Sequence, residues 1–342
     1  MNRLPSPRTT PPIGHLWRWT FQPVDLLAEG ARIAPVFQLS LWRRVVVGYR
    51  PDWNRAVLGD LETFRSRGSL SDLTPYLSAG VNEEGLADLD TYFASTLTYA
   101  QQAPLLMQQL QERGITEFGL VVTDTPSFDG FVAAVEAAAD EAGITVGYQT
   151  RISKTAAEPE QLSVVQALKD SGAQAVVLNT SPVVFIGLAN QGLNQGYTPT
   201  WMGPGVTSGL NAVTNFGCPA VETGVFLSPT PNLDVIDQLD PNFRTAYEQF
   251  APADAPVDDI GLQLWALNKA LGLMFEATGA ELGRAAFMNT LVTSEGFDNG
   301  IYSPVQFTVD DHFGGTGAHV LDADCTSDPK QFKTVEQFVS AG

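Results

Sequence analysis

Apolar and polar positions along the chain follow two rhythms, and they alternate most clearly in residues 114–147. Phe118-Gly119-Leu120-Val121-Val122 is a short apolar run that predicts a buried parallel strand. Thr123-Asp124-Thr125-Pro126-Ser127 predicts a turn. Phe131, Val132, Val135, Ala138, Ala139 and Ala142 then recur at helical spacing, and Gly143 is placed to end that helix. A second strand starts at Ile144. Strand, loop, helix and strand make one right-handed βαβ unit. Its loop lies at the carboxyl end of the first strand, where open α/β sheets take their ligands.

The rhythm continues downstream. Helices are predicted over 163–171, 183–191 and 210–216, strands over 173–178, 200–202 and 224–227, and a Gly-rich loop over 203–208. This alternation predicts a parallel sheet with helices on both faces. After Pro229 the pattern turns helical, over 242–250, 260–277 and 281–292, with strands expected at 305–309 and 318–321. Upstream, residues 97–113 read as an amphipathic helix and residues 83–94 as an acidic, aperiodic junction. Nearer the start come a short helix over 24–30, strands over 35–41 and 43–48 forming a hairpin around Trp42-Arg43, and a helix over 51–58.

Composition sharpens this picture in one respect. Residues 1–82 hold ten Arg and six acidic residues, a net +4, and four of the six Trp; the remainder carries −23. The asymmetry suggests two sequences of different origin joined near residue 82. The expected domains are 1–82, a junction and helix over 83–114, an α/β body over 115–255 and a closing segment over 256–342. A formal charge of −19 argues against nucleic acid as a partner. No run approaches the ~20 apolar residues of a membrane span, and the first residues lack the apolar core of a signal peptide.

Candidate chemistry is sparse. Gly203-Pro204-Gly205-Val206-Thr207-Ser208-Gly209 is not a dinucleotide fingerprint, and there is no nucleophile elbow. His312 and His319 flank a Gly-Gly-Thr-Gly stretch and are expected in a surface loop. The sequence therefore predicts no enzyme, no catalytic residue, no cofactor and no metal site. Cys218 and Cys325, the only cysteines, leave two readings open: a disulfide or two inert thiols.

Two resemblances emerge from these residues. Pro11-Pro12-Ile13-Gly14, the hairpin, Pro51-Asp52-Trp53-Asn54-Arg55 and Phe64-Arg65-Ser66-Arg67-Gly68 resemble the amino-terminal edge of the haem-thiolate monooxygenases of the cytochrome P-450 family, over residues 11–82. That family's thiolate loop and Ala-Gly-x-x-Thr helix are absent, so monooxygenase activity is not expected. Residues 97–342 resemble the type I periplasmic binding proteins, and within them the branched-chain amino-acid receptors of ABC importers. The resemblance rests on Phe118 to Thr125, on Ser171-Gly172-Ala173-Gln174-Ala175-Val176-Val177-Leu178, on Gln191-Gly192-Leu193 and on Pro199-Thr200-Trp201-Met202-Gly203, in that order.

The second resemblance implies a type I fold with one lobe complete and the other truncated, and a small solute such as an amino acid held in the cleft between them. The ligand-binding residues it implies are Thr123, Asp124, Thr125, Phe128, Thr180, Ser181, Gly205, Val206 and Thr207. It further implies an ABC importer permease as partner, an extracytoplasmic home for the family, and a Cys218–Cys325 disulfide. The truncation implies weak affinity.

Overall fold

The computed structural model describes residues 4–9, 14–15, 17–18, 22–41, 44–48, 93–205, 209–251, 255, 257–280 and 282–340. The chain divides into two compact units, Met1–Pro75 and Tyr76–Gly342.

In the first unit, helix α1 (Pro23–Ile33) precedes strands β1 (Val36–Ser40) and β2 (Arg44–Gly48), which pair antiparallel with Gln38 opposite Val46. Leu26, Phe37 and Leu39 are buried together. Gly30 is required there, because a Cβ would stand 2.2 Å from the Phe37 ring. His15 is fully buried: Ser40 N–H donates to its Nδ1 at 2.8 Å, which leaves Nε2 to donate to the Pro7 carbonyl at 2.9 Å. The hairpin forms as expected. The helix predicted over 51–58 lies outside the described residues.

The second unit is organised by a seven-stranded sheet of order β4-β3-β5-β6-β7-β8-β9. Its parallel part comprises β3 (Glu117–Thr123), β4 (Thr145–Ile152), β5 (Ala175–Asn179), β6 (Thr200–Gly203) and β7 (Gly224–Ser228). Strands β8 (Gly317–Asp324) and β9 (Gln331–Ser340) extend it antiparallel. Alternation along each strand feeds two cores. Phe118, Leu120, Val122, Val177, Met202 and Leu227 pack with α2 (Ala103–Glu112) and α3 (Asp129–Ala142) on one face. Val121, Val176, Leu178, Trp201 and Phe226 pack on the other, against α4 (Glu158–Ser171), α5 (Pro182–Asn194) and α6 (Leu210–Gly217). Gly143 ends α3 at φ 68°, in the left-handed region, as its position predicts.

A third core belongs to α7 (Ile236–Leu239), α8 (Asn242–Phe250), α9 (Asp259–Thr278) and α10 (Arg284–Thr293), with Phe297, Ile301, Val305 and Phe307. The chain passes between this core and the sheet in crossing segments. Ala94 N–H donates to the His312 carbonyl at 3.0 Å, and Gly314 N–H donates back to Ala94 at 2.8 Å. Thr96, Leu97, Pro229 and Gly317 border one small cavity, so a segment after β7 runs beside the other two.

Three expectations are corrected, and one strand was not expected. The strand expected at 305–309 is a single bridge, Val305 to Phe297, because the chain there follows the helical core and finds no sheet edge. Strand β9 went unpredicted, because its burial is irregular and only Phe332 is deeply buried. The helix expected over 97–113 begins at Ala103, after turns in which Thr98 and Gln101 bond each other. His319 is not in a surface loop but fully buried in β8.

Candidate functional site

Parallel pairing brings the ends of β3, β5, β6 and β7 to one edge of the sheet, so Thr123, Asn179, Gly203 and Ser228 mark it. Thr123 is nearly buried, and its hydroxyl donates to the Asn179 carbonyl at 3.3 Å. Asp124 is exposed, with its N–H on the Ile152 carbonyl at 2.8 Å. The Thr125 side chain accepts from Ser127 N–H and so starts the 3₁₀ turn Pro126–Phe128, while its carbonyl accepts from Arg151 at 3.0 Å. Arg151 also pairs with Asp129 at 2.5 Å.

Thr123, Asp124 and Thr125 line an open cleft of about 520 Å³ with Arg151, Ser153, Lys154 and Glu160. The Glu160 carboxylate accepts from Ser153 N–H at 2.8 Å and holds the turn after β4 against the start of α4. The cleft thus carries two cations and two anions, a lining suited to a polar solute with both donors and acceptors.

The other expected residues are placed differently. Phe128 is half-buried, its ring 5.9 Å from that of Tyr99, and both pack on the α2–α3 core. Thr180 is buried and donates to the Ser181 carbonyl at 3.4 Å; Ser181 caps α5 by accepting from Val184 N–H. Gly205 N–H donates to Gln102 Oε1 at 2.5 Å, so the start of α2 covers the end of β6. Val206 and Thr207 lie outside the described residues. The structure therefore gathers Thr123, Asp124 and Thr125 in one cleft. Thr180, Ser181 and Gly205 share the strand-end edge but do not line it.

Sequence reasoning passed over Arg151, Ser153, Lys154, Glu160, Gln102 and Asn179. A signal for the first four was present: Arg151 lies at the end of β4 and the other three follow it, and a parallel β4 beside β3 brings that end next to Thr123. A second polar recess joins Ser228, Thr230, Asn232 and Gln263 to Asp259. Burial pushes the Asp259 carboxyl above its usual range, against the pull of backbone N–H groups at the start of α6; Gly209 N–H donates to it at 3.0 Å. Among the described residues no cluster of three His, Cys, Asp or Glu is placed to hold a metal ion, and no helix is long and apolar enough to cross a membrane.

Comparison with known proteins decides the family. The family model described as "Periplasmic binding protein" matches residues 57–328. The chain belongs to the periplasmic binding protein family. The match takes in residues 57–82, part of the stretch that resembles the monooxygenases, and nothing in the comparisons supports that resemblance. Searching curated proteins gives no significant match.

Among solved structures, one similar fold is a branched-chain amino acid ABC transporter protein from Thermus thermophilus with bound valine. It has a TM-score of 0.63 at 15% identity, over 84% of this chain and 82% of that one. Another is a fatty acid ABC transporter substrate-binding protein from Thermomonospora curvata, with a TM-score of 0.61 at 19% identity, over 75% and 67% of the two chains. A third is an ABC transporter solute-binding protein from R. palustris in complex with 4-hydroxybenzoate, with a TM-score of 0.58 at 16% identity, over 73% and 67%. The mostly parallel sheet flanked by helices is the fold these share with the periplasmic binding protein described here.

Proposed function

We propose that the chain is a solute receptor that holds a small carboxylate-bearing molecule at the strand-end edge and presents it to an ABC importer's permease. The observation that carries this reading is the edge itself. Thr123, Asp124, Asn179 and Thr180 are polar groups at or just past the ends of adjacent parallel strands. The segments that cross to the helical core run beside the same edge. Polar groups set at strand ends suit binding, and among the described residues this edge shows no paired nucleophile and base.

Family membership and the chemistry shared by valine, a fatty acid and 4-hydroxybenzoate, each a carboxylate on an apolar body, support the solute class. Within that class a branched-chain amino acid is the finer reading. The domain boundaries are likewise proposed: residues 115–255 carry the five parallel strands and the first two helices of the helical core, and residues 256–342 complete that core and return the chain to the last two strands of the sheet. The β1–β2 hairpin belongs to the described part of residues 11–82, the stretch behind the monooxygenase resemblance.

Isothermal titration of the intact chain with L-leucine, L-isoleucine, L-valine, octanoate and 4-hydroxybenzoate tests the reading. Saturable binding of at least one is expected, weakened about tenfold or more when the two cations that line the cleft are removed together by Arg151→Ala and Lys154→Ala. Heat signals indistinguishable from dilution for all five would refute it.

A further inference from the structure

Asn179 is the last residue of β5 and lies in register with Val122 of β3. Alternation along β5 sends Ala175 and Val177 into the core shared with α2 and α3, and Asn179 falls on that same side of the sheet. Tyr99 and Phe128 pack on that core from the adjoining segments. Asn179 is 3% exposed, and its Nδ2 is buried with no hydrogen-bond partner. A buried amide donor left without an acceptor destabilises the fold, so such groups are rare unless they serve another end. Its register partner on β3, Val122, and the residue two positions before it on the same side, Val177, are both apolar members of that core.

We infer that the Asn179 side-chain amide is a solute contact, donating from Nδ2 to an acceptor oxygen of the bound molecule. This assignment rests on the solute-receptor reading and places the solute's oxygen on the α2–α3 side of the edge, by the Tyr99–Phe128 pair. Strand β5 supplies a rigid mount, and the soft χ2 torsion of Asn lets the amide turn toward the approaching oxygen. A neutral amide donor at this depth orients an oxygen without the desolvation cost of a buried cation. Selectivity follows: an acceptor-bearing solute is favoured, and an analogue that lacks the acceptor leaves the donor unpaired, as it is in the unliganded chain.

The test compares wild type, Asn179→Leu and Asn179→Ala by titration with L-valine, octanoate and 4-hydroxybenzoate, alongside melting temperatures without solute. Binding of whichever probe the wild type takes should weaken about tenfold or more in both variants. The unliganded melting temperature of Asn179→Leu should match or exceed that of wild type, because an unpaired donor has been removed. Wild-type affinity in both variants would overturn the assignment and leave the receptor reading standing. Loss of binding in step with a lowered melting temperature in both variants would also overturn it, marking Asn179 as structural. Failure of these three probes, and of L-leucine and L-isoleucine with them, to bind the wild type would remove the receptor reading and the assignment together.

Discussion

His319 is buried in β8 with its Nε2 on the Ile301 carbonyl at 2.8 Å and its ring 4.7 Å from that of Phe338. Burial pushes its pKa down to about 4, outweighing the Ile301 hydrogen bond. The unfolded chain takes up this proton near pH 6.5, the folded chain only near pH 4, so acid favours unfolding between those values. Stability from this residue is complete above about pH 6.5 and falls by roughly 3 kcal/mol as pH drops to about 4. Thermal melts at pH 7, 6, 5 and 4 should show that decline, and His319→Gln should flatten it. An unchanged slope would show that other groups set the acid limit. The sequence reads two ways at His319, Gly-rich before it and strand-like over 318–321, and the pairing of Ser228 with His319 across β7 and β8 shows that the strand reading holds and that the ring is buried.

Also at this scale, Cys218 and Cys325 are disulfide-bonded across 107 positions. Cross-links that close loops of about 100 residues stabilise by about 4.7 kcal/mol in the chain-entropy account. Replacing both with alanine should lower the melting temperature by several degrees in calorimetry, and the unreduced, denatured wild type should titrate no free thiol.

Among the elements, those with one clear period were legible and those with a divided role were not. Helix α3 and strands β3, β5, β6 and β7 lie within a residue or two of expectation, because each has its apolar positions matched to one core or to both faces of a sheet. Helix α9 was legible as a helix but not in its surroundings. Leu262, Ala266, Ala270 and Met274 are buried, whereas Ile260, Leu264, Leu271 and Phe275 form a second apolar line that is exposed. Strand β9 was illegible, because its pairing with β8 breaks register twice and no single face stays buried.

The crossing segments make an element-level prediction. A Cβ at Gly315 would stand 2.2 Å from the Leu97 nitrogen, and backbone there cannot yield as a side-chain tip would. Gly315→Ala should destabilise by about 1–3 kcal/mol. A melting curve identical to wild type would mean that the segments part freely.

For the whole molecule, the family could be read from the order of elements over residues 97–342, and the family match extends it to residue 57. The site was legible only in part. Loop polarity after a strand pointed to Thr123, Asp124 and Thr125, but which loops meet depends on strand order, and β4 lying outside β3 is what brings in Arg151, Ser153, Lys154 and Glu160.

The same strand order bears on how the chain is made. Strand β7 pairs with β6 on one side and with β8 on the other, and β8 begins about ninety residues further along the chain. During synthesis the parallel strands can assemble in the order they emerge. Until β8 arrives, however, β7 is left as a bare edge of Val225, Phe226 and Leu227, the kind of edge that recruits strands from other molecules. The long helical interval between them is therefore also a period of exposure, in which a nascent chain of this design depends on chaperones or on speed.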